Sequence, residues 1–228
     1  MPSLKLKNWI NSRSSPSVLL NPRNGLILCG IFGAGFILAV ILHYFMGEAD
    51  QQIEAWIFSG TTRISYSIFD KITMLGETIL LLPICMGLMV WWASRKEWNK
   101  TAGILLTVIC GGLLALFLKL LFHSPRPDIN TGWIKEIDFG FPSGHAVMSL
   151  LFWGFLAYLF IRGDSNPKRR FLIGLSAGLI TFTVGLTRLF LGVHYPLDVL
   201  GGWTWGAMWL TFSILVMDFT GWRRGLPR

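Results

Sequence analysis

GLILCGIFGAGFILAVILHY, from Gly25 to Tyr44, runs for 20 residues without Asp, Glu, Lys or Arg. A helix of that length covers about 30 Å, the thickness of a bilayer's hydrocarbon core. The run is too long for the apolar part of a cleavable signal and is followed by no clear small-residue cleavage site, so it reads as a membrane span. Outward from it the pattern repeats. Further apolar stretches cover about 72–92, 102–122, 144–161, 171–191 and 196–217. The fold expected is therefore an all-α integral membrane protein with six transmembrane helices. In the connector between the first two spans, Ile53, Trp56 and Ile57 follow helical spacing, which predicts a short interfacial helix.

Composition agrees. Hydrophobic residues make up 53% of the chain and charged ones only 14%, too apolar for an ordinary soluble domain. The net charge of +8 would suggest nucleic acid in a soluble protein. In a membrane protein the positive-inside rule accounts for it, and no nucleic-acid partner is expected. Residues 1–24, the 95–100 and 162–170 loops and the C-terminal tail hold 14 of the 20 Lys and Arg. That side is expected to be cytoplasmic, with both termini on it. The chain divides into a tail (1–24), a six-span domain (25–218) and a basic tail (219–228). Cys29, Cys85 and Cys110 fall inside apolar runs and read as small buried hydrophobes.

Three polar stretches remain, all at the outer ends of spans on this topology. Lys119 precedes Arg126-Pro127. Pro142-Ser143-Gly144-His145 opens the fourth span. Arg188 precedes His194, which is followed four residues later by Asp198. Charges at the edge of hydrocarbon are costly and imply a bound partner. Three cations, Lys119, Arg126 and Arg188, suit a multiply charged anion such as phosphate, with the fork of Arg matching its oxygens. Free N–H groups at the helix start beside Ser143 and Gly144 attract the same ligand. Asp198, one turn from His194, would fix that ring's tautomer and leave its other nitrogen nucleophilic, while His145 could act as general acid. No carboxylate cluster of the kind that holds magnesium is present, so no metal and no cofactor are expected. His43 and His123 lie outside these stretches, and an interfacial place is expected for His43. Gly111-Gly112 and the Gly30, Gly33 and Gly35 group read as helix-packing surfaces.

Lys119-x6-Arg126-Pro127, Pro142-Ser143-Gly144-His145 and Arg188-x5-His194-x3-Asp198, in this order and spacing, resemble the three signature motifs of the type 2 phosphatidic acid phosphatase (PAP2) superfamily. Thr187 stands where that family usually has serine. The resemblance implies that His194 attacks phosphorus, Asp198 orients it and His145 protonates the leaving group. It also implies that Lys119, Arg126, Ser143, Gly144 and Arg188 hold the phosphoryl oxygens. Such proteins are typically bacterial inner-membrane enzymes that act at the outer face on phosphatidylglycerophosphate, phosphatidate or undecaprenyl diphosphate. A phosphotransferase with the same intermediate, and a lipid or anion transporter using the three cations, are the competing expectations. A transporter would place its site near the midplane, whereas these charges fall at span ends.

Overall fold

The computed structural model describes residues 21–127 and 138–219. The expected tails, apart from 21–24 and 219, lie outside these residues, as do Trp133 and Ile134 of the loop after the third span. Among the described residues, six stretches are long and apolar enough to cross a membrane. The first is α1, Pro22–Phe45, with Asn21 capping its Arg23 N–H and proline in its first turn. The helix expected around Ile53, Trp56 and Ile57 is α2, Gly47–Ser59. The second span is longer than the apolar pattern indicated, because α3 (Arg63–Thr73), a 3₁₀ turn (Met74–Gly76) and α4 (Thr78–Ser94) run on from one another. The third is α5 (Trp98–Ile104), a π-helical segment (Leu105–Cys110) and α6 (Gly111–Phe122). Then follow α7 (Gly144–Gly163), α8 (Pro167–Phe190) and α9 (Pro196–Phe219).

α7 is the central helix. Its Leu151, Phe152 and Phe155 join Leu81 and Cys85 of α4 and Val108 of the π segment in the main apolar core. α9 packs most extensively along α1, and α7 along α8. The outer surface carries large apolar side chains such as Ile79 and Phe45, as expected where lipid is the solvent. Two glycines decide how closely the site elements approach. A Cβ on Gly202 of α9 would stand 2.7 Å from the Ser143 carbonyl oxygen, and one on Gly201 would stand 2.5 Å from the Phe141 ring. α9 can therefore lie directly against the start of α7. Gly111 and Gly112 serve as expected: a Cβ there would strike Trp209 and Met148.

α2 also reaches the start of α9. Asp50 Oδ1 accepts the Leu197 N–H at 3.1 Å, adding a cap from outside that helix. Asp50 and Glu54, one turn apart, are both buried. Burial raises the Asp50 carboxyl to about 6, against the Leu197 hydrogen bond. Burial and then the Asp50 charge raise Glu54 to about 7. A raised carboxyl favours the protonated folded form, so this contribution to stability is present at low pH and is lost as pH climbs from the ordinary carboxylate range to about 7. Glu54→Gln is accordingly expected to raise the thermal midpoint at pH 8 by about 2–4 °C, the effect of roughly 1 kcal/mol in a chain of this size. Little gain should appear at pH 4.5. An equal effect at both pH values would show that ionisation of Glu54 is not what costs stability.

Candidate active site

Lys119, Arg126, Gly144, His145 and His194, far apart in sequence, line one cavity of about 410 Å³. Its polar end is formed by these residues. Its apolar end runs down between α4, the third span and α7, past Leu82, Ile109, Leu113, Leu116 and Met148. The π segment supplies Val108 and Ile109 to that wall, consistent with the tendency of π-helical turns to occur at functional sites.

His194 is buried in the turn between α8 and α9, where Gly192 takes a positive φ of 67°. Its Nδ1 lies 3.1 Å from Asp198 Oδ2, and the same oxygen accepts the Tyr195 N–H at 3.0 Å. With Nδ1–H donated to the carboxylate, the lone pair is on Nε2, which faces Arg126 Nη1 at 3.1 Å. Burial holds the ring well below the usual histidine range, and the Arg126, Arg188 and Lys119 charges act in the same direction. The ring is thus neutral at pH 7 and able to act as a nucleophile. Arg188, the largest fully buried side chain among the described residues, donates Nη1–H to Thr73 Oγ1 at 3.2 Å. The Ser143 N–H donates to the Asp198 carbonyl at 2.9 Å, tying the start of α7 to α9. Ser143 takes the N-cap position of α7, but its hydroxyl makes no capping bond. Its Oγ is buried without a hydrogen-bond partner. Among the described residues no group of three or more His, Cys, Asp or Glu side chains is placed to hold a metal ion.

Four residues gain a place here that spacing did not give them. Glu77, between the 3₁₀ turn and α4, puts Oε2 2.8 Å from His145 Nε2. Asp138, which belongs to none of the three motifs, bridges the Lys119 ammonium and the Arg126 guanidinium. Burial acts to raise its carboxyl, but the two cations outweigh this and hold it below the usual carboxylate range. His43 does not have the merely interfacial place expected of it. Its Nδ1 is 3.8 Å from Asp198 Oδ1, and Nε2 meets Ser124 Oγ at 2.8 Å. Asp50 acts on the same helix start from α2. His123 ends α6 with a positive φ, and its ring packs on Phe139.

Residues 100–222 match the PAP2 superfamily. The chain belongs to that superfamily. It is 33% identical to phosphatidylglycerophosphatase B of Bacillus subtilis over 148 residues, covering 62% of this chain and 70% of that one. Identity to the undecaprenyl-diphosphatase of Sulfolobus acidocaldarius is 26% over 155 residues, 64% of this chain and 67% of the relative. The crystal structure of a transmembrane PAP2 type phosphatidylglycerolphosphate phosphatase from Bacillus subtilis superposes with a TM-score of 0.74 at 27% identity. The match covers 85% of this chain and 97% of that one. This chain is a multi-pass membrane phosphatase of the PAP2 superfamily.

Proposed function

We propose that this phosphatase removes the terminal phosphate of a lipid phosphomonoester or diphosphate through a phosphohistidine on His194. Phosphatidylglycerophosphate, phosphatidate and undecaprenyl diphosphate are the candidate substrates. The observation that carries the reading is the Asp198–His194 pair, which leaves the Nε2 lone pair directed at Arg126 in a cavity whose other end is apolar. Nε2 attacks phosphorus, the N–P bond forms, and the bond from phosphorus to the leaving oxygen breaks. His145 gives that oxygen its proton. Water, deprotonated by His145, then attacks phosphorus and frees His194. Lys119, Arg126 and Arg188 hold the phosphoryl oxygens and stabilise the charge that builds on them. The amide of Gly144 and the unpartnered Ser143 hydroxyl complete the cradle.

The apolar end of the cavity supports a lipid leaving group, whose chains would follow Leu113 and Leu116 toward the bilayer. The charge distribution supports cytoplasmic termini, with the site on the outer face of the plasma membrane, the inner membrane in a bacterium. Inorganic phosphate released by the detergent-purified protein from the three lipids, with and without EDTA, tests the reading. Release from at least one of them, unchanged by EDTA, is expected. Absence of release from all three would overturn the phosphatase reading in favour of transfer to an acceptor lipid.

A further inference from the structure

Glu77 is not a stray surface acid. The turn that carries it is pinned to α7 at two points. A Cβ on Gly76 would lie 2.9 Å from the His145 carbonyl oxygen, and Trp153 Nε1 donates to the Leu75 carbonyl at 2.9 Å. The carboxylate is thereby set 2.8 Å from His145 Nε2 and lines the same cavity. Along the cavity wall, Glu77 and Thr78 stand with His145 at the polar end, and Leu82 of the same helix belongs to the apolar end.

That placement fixes what lies beside the carboxylate during reaction. If His145 protonates the leaving oxygen, the group attached to that oxygen comes next to Glu77. In a phosphomonoester this group is a carbon of an alcohol. In a diphosphate it is a second phosphorus bearing anionic oxygens. The partner of the Glu77 carboxylate is the His145 ring. Lys119 and Arg126 lie on the Asp138 side, where they would face the phosphate under attack.

We propose that Glu77 is a specificity-determining residue that disfavours lipid diphosphates and favours phosphomonoesters whose leaving group is a neutral alcohol. The proposal rests on the assignment of His145 as proton donor to the leaving oxygen. Like charges a few ångströms apart at a half-buried site repel strongly enough to change relative rates by about 10- to 100-fold.

Tail-matched pairs isolate the effect: farnesyl phosphate with farnesyl diphosphate, and phosphatidate with diacylglycerol diphosphate. For each, kcat/KM would be measured for the full chain and for Glu77→Gln, which keeps the shape and removes the charge. The ratio of diphosphate to monophosphate is expected to rise at least about tenfold in the variant. A fall in both rates with an unchanged ratio would overturn the proposal, leaving Glu77 as a residue that only positions His145. Glu77→Asp, which keeps the charge, should keep a ratio near that of the parent chain; a ratio as high as that of Glu77→Gln would also overturn it. If the parent chain releases phosphate from none of the four, the phosphatase reading itself has failed, a result distinct from an unchanged ratio.

Discussion

His194→Ala is expected to reduce phosphate release by about 10⁴-fold or more, to the level of a blank. When a covalent nucleophile is removed, the residues around it cannot substitute, because they act as one unit. Arg126 and Lys119 would remain, so the variant should still bind inorganic phosphate or vanadate. The parent protein, mixed with radiolabelled phospholipid and quenched, should retain label on the chain. A phosphoramidate at histidine survives base and is lost in acid, and that pattern should be absent from His194→Ala. Asp198→Asn is a milder change. It keeps the acceptor oxygen but weakens the hold on the Nδ1 proton, so a loss of about 10²–10⁴-fold is expected. Activity surviving in His194→Ala would sink the covalent mechanism, whatever else the cavity does.

Much of the fold was legible because hydropathy is a local property. The uninterrupted run before Tyr44 could not be satisfied except by a helix in lipid. The junction at α3 was less clear, since Arg63, Asp70 and Lys71 interrupt the apolar pattern that a helix can nonetheless continue through. The candidate site was legible for a different reason. Lys119, Arg126, His145 and His194 stand in motifs whose internal spacing is short, and the structure brings those motifs to one cavity. Residues without such a motif could not be read in the same way. Glu77 meets His145 across 68 positions and Asp50 meets Leu197 across 147, distances set by how helices pack and not by any local period. His43 became a neighbour of Asp198 only because α1 lies along α9. The Gly201-Gly202 pair is a sequence signal of a different close packing, that of α9 on the start of α7. It points to a near neighbour without saying which.

The buried guanidinium of Arg188 leads to the other large effect. With 1% of its surface exposed, Arg188 has given up almost all its hydration, and Arg126 and Lys119 lie near enough for all three to act on His194. A cation kept under such conditions costs stability unless its partners compensate. Its expected return is in the transition state, where charge spreads over the phosphoryl oxygens and one well-placed arginine is worth about 10³–10⁵-fold in rate. Arg188→Met is therefore expected to lower kcat by about 10³-fold, while the thermal midpoint moves by no more than a few degrees. Arg188→Lys keeps the charge and loses the fork, so its rate should fall between the two. Paired measurements of kcat and thermal midpoint decide the matter. If the midpoint collapses in Arg188→Met, and midpoint and rate recover together in Arg188→Lys, the side chain serves to hold α8 to Thr73 of α3 and its part in phosphoryl transfer is secondary.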